Sequence, residues 1–371
     1  MKKVVINTIP LLSTITGIGR YTLEISKRVQ KNQTIETIFY YGYFSKKLMS
    51  YKKDSKMSLL KRTISKYPLL KKIARKLLIT LSNLTFNKFD LYWEPNFIPI
   101  ASIKAKKIVT SVHDFSFIHY KEFHPKERIE YFENYFFNNI KRSDAIICFS
   151  NYVKQEILNY INIDEKNIYV IYHGVDHNKF KPLKNIKIDI DLPQYFIFCA
   201  GSIEPRKNLL RLLKAYNKLD KNLQKKYKLI LSGFKGWNNS EIMHIIKQNK
   251  NIIYLGYLTE DDLVKVYNLA TIFVYPSLYE GFGLPILEAM ACNTPVITSN
   301  ISSMPEVGGD AVIYCDPYST EDIKNKIELL LKNPKLQKEL KTKALKRAKT
   351  FTWEKSAKEH LKLFNTLLQN K

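Results

Sequence analysis

Few features of this 371-residue chain suit an extracellular or membrane-spanning protein. Its four cysteines (Cys148, Cys199, Cys292 and Cys315) each stand alone in an apolar segment, with no C-x-x-C pair and no zinc-ligand spacing. Such a set reads as reduced core thiols of a cytoplasmic protein. No unbroken apolar run approaches the roughly 18 residues that cross a bilayer. The run after Met1-Lys2-Lys3 is too short for a secretory signal. The phosphate-loop pattern G-x-x-x-x-G-K-[ST], the zinc-protease pattern H-E-x-x-H and the hydrolase elbow G-x-S-x-G are all missing. Acid is scarce too: 34 Asp and Glu stand against 60 Lys and Arg, a net charge of +26. That balance attracts anions, whether nucleic acid, a lipid surface or a phosphorylated small molecule.

What is present is enough for two packed domains: 45% hydrophobic and 13% aromatic residues, at the usual length of about 150 residues per domain. Short apolar runs at 4–7, 35–42, 90–94, 107–112, 145–149 and 168–172 read as buried strands. Helical spacing falls between them at 20–30, 126–141 and 152–160, the last with Ser150 placed to cap it. The polar stretch 176–185 suggests a domain connection. The pattern then repeats, with strands at 195–200, 228–231, 251–255, 271–275, 295–298 and 311–314. Helices at 209–219, 241–248, 260–269, 285–292 and 320–332 separate them, and lysine-rich helices run on from 334. Alternation of this kind predicts two doubly wound α/β halves, with ligands at the carboxyl ends of their strands. Between 46 and 76 there are twelve Lys or Arg and one acid, Asp54. A helix opening at Pro68 would set Lys71, Lys72, Arg75 and Lys76 opposite an apolar side. Such a helix can lie on an anionic membrane or serve as a solvated face.

Chemistry is sought at the strand ends. Residues 276–306 carry Glu280 beside Gly281 and Gly283, and then Glu288 inside an apolar helix with Pro285 in its first turn. A carboxylate among Ile286, Leu287, Ala289 and Met290 needs partners. A lysine or the hydroxyls of a sugar would serve, and the spacing alone leaves both open. Arg206-Lys207 follows the strand at 195–200, where a fork and a point charge suit a diphosphate. His113 ends another strand and can bond a hydroxyl or move a proton. Gly17 and Gly19 lie in a loop, 13–19, that can approach a phosphate. The literal D-x-D at Asp189 and Asp191 sits in the expected connection and is read as chance.

Together these residues resemble the retaining, nucleotide-sugar-dependent glycosyltransferases of family 4. The stretches that carry the likeness are GSIEPRKNL (201–209), YLGYLTEDDL (254–263), PSLYEGFGLPILEAMACNTPVITSN (276–300) and MPEVGGDAVIYCDP (304–317). In the first half, INTIPLLSTITGIGRYTLEI (6–25), SVHDFSFIHYKEFHP (111–125) and IYHGVD (171–176) look like the branch that includes bacterial mannosyltransferases of surface-polysaccharide assembly. The resemblance implies a GT-B fold. Its two Rossmann-like domains would be 1–183, an acceptor domain, and 184–352, a donor domain, with 353–371 crossing back to the first. It implies that Glu288 holds the donor ribose, and that Glu280, with the backbone of Phe282, Gly283 and Leu284, contacts the transferred sugar. Arg206 and Lys207, helped by Gly17 and Gly19, would hold the diphosphate. His113 would bond the sugar, and Tyr257 and Leu258 would fall near the base. No cofactor and no catalytic metal are implied.

The expected donor is GDP-mannose, with UDP-sugars as the alternative. The expected acceptor is a glycan or a lipid-diphosphate-linked glycan, met at the inner membrane face if the basic segment binds there. An epimerase of the same fold, or a nucleic-acid-binding protein, are the other classes open. The second explains the charge but neither Glu280 nor Glu288.

Overall fold

The structure is a computed structural model that describes residues 1–12, 17–49, 88–236 and 240–369. Lys71, Lys72, Arg75 and Lys76, with most of the basic segment, lie outside the described residues. Seven strands form the first sheet: β1 (Lys2–Asn7), β2 (Ile35–Tyr40), β3 (Phe44–Ser45), β4 (Phe89–Glu94), β5 (Ala105–Ser111), β6 (Ala145–Cys148) and β7 (Ile168–Val170). Six form the second: β8 (Phe196–Ala200), β9 (Lys228–Ser232), β10 (Ile252–Tyr254), β11 (Ile272–Tyr275), β12 (Val296–Ser299) and β13 (Ile313–Cys315).

The spatial orders are β3-β2-β1-β4-β5-β6-β7 and β10-β9-β8-β11-β12-β13. Every pairing is parallel except β2 with β3. Val5 pairs with Ile38 on one side and Tyr92 on the other; Phe273 lies between Phe198 and Val296. These central strands are buried on both faces, which is why they read as unbroken apolar runs. Strand order reverses between β1 and β4 and again between β8 and β11, so each sheet has one switch point where a crevice opens.

Several short elements were not expected, among them the helices Ser116–His119 and Met304–Gly308. After Gly42, held at a left-handed φ of 92°, the two-residue β3 turns back on β2, too short to carry a pattern. The helix expected over 209–219 ends as Leu209–Asn217, and a separate Lys221–Lys226 follows with Asp220 as its cap. Ser150 caps Asn151–Tyr160, its hydroxyl accepting from Val153 N at 3.2 Å.

The last helix, Trp353–Gln369, packs on elements of the first sheet rather than the second. Its His360 sits at hydrogen-bond distance, 2.6 Å, from Tyr21, and Phe364 meets Trp93 at 5.8 Å between ring centres. Two passes of the chain join the halves side by side. Val175 forms a parallel bridge with Thr352, and Gly174 comes so close to Trp353 that a Cβ would lie 2.1 Å from its nitrogen.

Candidate active site

The loop after β11 is the centre of the site. Gly283, at φ 104°, caps the helix Leu284–Ala291, a conformation glycine adopts without strain. The helix thus opens at Leu284, one residue before the expected start, with Pro285 still in its first turn. Ser303 ties the loop from below, its hydroxyl donating to Glu280 O at 2.7 Å and Phe282 O at 3.0 Å.

Glu280 is buried and fully engaged. Lys207 Nζ lies 2.7 Å from Oε1 and Arg206 Nη1 lies 3.1 Å from Oε2. Tyr275, the last residue of β11, donates its hydroxyl to Oε1 at 2.8 Å while accepting from Lys207 at 2.8 Å. Burial alone would raise this carboxyl. The two cations outweigh it and hold Glu280 down to about 2, so it is ionised. Arg206 also donates to Tyr279 O at 2.6 Å and pairs with Glu204 at 3.1 Å. The turn that carries both cations is fixed by Asn208, at φ 59°, whose amide donates to Pro276 O and Pro317 O at 2.9 and 2.7 Å. The sequence-expected Glu280, Arg206 and Lys207 therefore converge.

Glu288, buried on its helix, is held by Arg20 Nη1 and by Tyr267, whose hydroxyl donates at 3.3 Å. Burial raises its carboxyl above the ordinary value, with Arg20 opposing. Its charged partner is thus an arginine from the other half, not a lysine. The cause lies at Gly17: the helix Gly17–Val29 starts there, and Gly17 and Gly19 sit inside it rather than in a loop. That early start puts Arg20 in the first turn, facing the second sheet. Gly17 still approaches the helix that carries Glu288, since a Cβ there would touch Leu284 at 3.6 Å.

His113 follows β5 and is partly buried. Its Nε2 lies 2.7 Å from Pro95 O, an acceptor only, so Nε2 carries the proton. Its ring packs on Phe149, 4.7 Å between centres, and burial takes it down to about 4, leaving it neutral. Gly281 presses on the same residue: a Cβ there would lie 1.7 Å from His113 O. Only glycine permits this approach. The ring of Phe282 packs against His173 and Phe351.

Tyr257 and Leu258 lie apart from this cluster, beyond β10. Leu258 is buried, whereas Tyr257 is 53% exposed and stacks on Phe234 at 4.3 Å. Asp189 and Asp191 fall on the exposed approach to β8. Residues that sequence reasoning missed are Arg20, Tyr275, Tyr267 and Phe234. Of these, Tyr275 carried a usable signal, since it ends a predicted strand.

Comparison with known proteins decides the family. Residues 181–347 match the "Glycosyl transferases group 1" family and residues 15–179 match "Glycosyltransferase Family 4". The chain is 32% identical to the O-antigen chain mannosyltransferase B of Escherichia coli, over 98% of this chain and all of that one. The chain belongs to the family 4, group 1 glycosyltransferases. This glycosyltransferase is also 33% identical over 253 residues to the serotype-specific mannosyltransferase WbdA of Escherichia coli, though that match spans only 31% of WbdA. In structure it is similar to sucrose-phosphate synthase of Thermosynechococcus elongatus, with a TM-score of 0.74, 15% identity and full coverage of both chains. HepE of Anabaena, solved with UDP-glucose, gives 0.69 at 14% identity over 99% of this chain and all of that one. These likenesses establish the GT-B architecture for the glycosyltransferase.

Proposed function

We propose that this glycosyltransferase moves mannose from GDP-mannose to a glycan of a surface polysaccharide, with retention at the anomeric carbon. The observation that carries the reading is the convergence of Glu280 with Arg206 and Lys207 at the carboxyl end of β8 and β11, the switch point of the second sheet. The name of the full-length E. coli relative supports mannose as the sugar. A UDP-sugar is the second reading, favoured by the UDP-glucose bound to HepE.

Arg206 and Lys207 face the diphosphate. As the bond from the anomeric carbon to the phosphate oxygen breaks, negative charge grows on the departing nucleoside diphosphate, and these fixed cations stabilise it. The acceptor hydroxyl forms its new bond on the same face, and its proton passes to the departing phosphate. Glu280 is ionised and bonded by three side chains, so it orients the sugar rather than donating a proton. Glu288 takes the ribose hydroxyls. His113, with its proton fixed on Nε2, offers Nδ1 as an acceptor for a sugar hydroxyl. Where the acceptor is lipid-linked, the basic segment with Lys71, Lys72, Arg75 and Lys76 would face the anionic membrane. Neutralising these four residues should then weaken sedimentation with anionic vesicles.

The test is a donor panel of GDP-mannose, UDP-glucose and UDP-N-acetylglucosamine, with a mannose-terminated acceptor. Release of nucleoside diphosphate is followed, and the product linkage is read by NMR. GDP-mannose turnover giving an α-linked product is expected; turnover of UDP-sugars alone, or a β-linked product, overturns the assignment. Lys207→Ala should slow transfer and Glu288→Ala should chiefly weaken donor binding. Unchanged kinetics in both would remove these residues from the site.

A further inference from the structure

The two site carboxylates differ in where their partners come from. Glu280 is held by Arg206, Lys207 and Tyr275, all from the second half. Glu288 is held across the junction. Arg20, from the helix that follows β1, gives Nη1 to Glu288 Oε1 and Nη2 to Glu260 Oε1 at 3.1 Å. The second oxygen of Glu260 pairs with Lys179, on the connection between the halves. The guanidinium carbon also lies 5.5 Å from the centre of the Phe180 ring. A cavity opens beside the pair, walled by Arg20, Leu284, Glu288, Glu260 and Trp353. Leu284 begins the helix that carries Glu288, so this space lies beside that carboxylate on its first-domain side.

We infer that Arg20 and the donor's ribose are alternative partners of Glu288, so that donor entry exchanges an ion pair between the domains for ligand hydrogen bonds. The inference rests on the reading that Glu288 receives the ribose. Two vicinal hydroxyls can occupy both carboxylate oxygens, replacing Arg20 on one and the long Tyr267 contact on the other. The exchange does not strand the displaced cation. Nη2 stays on Glu260, and a guanidinium with one carboxylate partner is still paired. A buried carboxylate deprived of its cation, by contrast, gains more from each new donor. Arg20 therefore weakens donor binding by competing for Glu288, and the domains are released from one of their ties as the donor enters. Apparent affinity falls by the fraction of molecules in which the pair is made.

The experiment is calorimetric titration of GDP and UDP into the full-length protein, wild type and as Arg20→Met, Arg20→Lys and Glu288→Gln. Arg20→Met should bind the preferred nucleoside diphosphate about tenfold tighter than wild type, and its ligand-free radius of gyration by X-ray scattering should rise. Arg20→Lys, whose single ammonium cannot span both acids, should tighten binding by a smaller factor and supplies the same sign if Arg20→Met does not fold. Unchanged or weaker binding in the Arg20 variants, with weaker binding in Glu288→Gln, overturns the exchange and leaves the ribose reading in place. Unchanged binding in Glu288→Gln overturns the ribose reading and the exchange with it.

Discussion

Glu204, Glu280, Arg206 and Lys207 form a little-exposed chain of ion pairs, Arg206 reaching both acids at 3.1 Å and Lys207 reaching Glu280 at 2.7 Å. Each acid of this chain faces a cation, which offsets the cost of burying it. Removing one member leaves an uncompensated charge, so Glu280→Ala should cost about 3–5 kcal/mol of stability as well as activity. Urea denaturation measures the first and donor turnover the second. The acid behaviour has a definite sign. The folded protein holds Glu280 down to about 2, below the ordinary carboxyl value of 4.5. Its contribution is complete above the ordinary value and is lost as pH falls from there towards about 2. Denaturation midpoints of wild type and Glu280→Ala should therefore converge on acidification below pH 4.5. Tyr275→Phe is milder. It deletes the hydroxyl between Lys207 and Glu280 and should cost about 1 kcal/mol, with turnover reduced more than donor affinity.

At the scale of elements, the C-terminal helix Trp353–Gln369 shows what buried histidine does. His360 Nδ1 donates to Ser356 O at 2.8 Å, and its Nε2 faces Tyr21. Burial takes His360 down to about 4 from 6.5, so below pH 6.5 the unfolded chain binds a proton that the folded one refuses. Stability from this group falls as pH drops from 6.5 to about 4. Glu156, raised by burial to about 7, works the other way: the folded state keeps its proton, and stability falls as pH rises from 4.5 to about 7. His360→Gln should flatten the wild-type slope between pH 6.5 and 4 by up to one proton, read from midpoints at half-unit steps.

The helix itself was legible in the sequence, as were the buried strands of both sheets, because apolar runs bounded by polar turns have few other solutions. The short β3 was not, since two residues carry no period. The site was legible in the same uneven way. Glu280, Arg206 and Lys207 stand near strand ends and could be found by topology. Arg20 reaches Glu288 only because a helix starts at Gly17 and the two halves close on each other, a relation between distant segments that spacing does not encode. The stacking of Tyr257 on Phe234 was not legible, for the same reason.

At the scale of the whole molecule, the two halves meet through side chains and backbone together: Asn151 and Tyr172 bond Glu306, Tyr279 donates to Glu156, and Ser150 donates to Gly281 O. Gly281 is the tightest point. Gly281→Ala would drive a methyl into His113 O, 1.7 Å from the Cβ position, and neither backbone can yield locally. The halves should separate, with lower turnover and a larger radius of gyration, while the circular dichroism of each sheet and its helices stays as in wild type. Retained turnover at wild-type dimensions would show that the loop relaxes instead.

The paired crossings at Val175 and Thr352 have a mechanical meaning as well. Val175 N donates to Phe351 O at 3.2 Å, and His177 Nε2 faces the same carbonyl at 3.3 Å. Two chain passes joined by a bridge resist twisting and sideways slip better than one pass, yet can still bend across their common line. If the halves open, the easy direction should be bending across this line, which X-ray scattering of the ligand-free and nucleotide-bound protein would check by a change in radius of gyration. Such a crossing would return the loop of Gly281 to the same place against His113 after each opening.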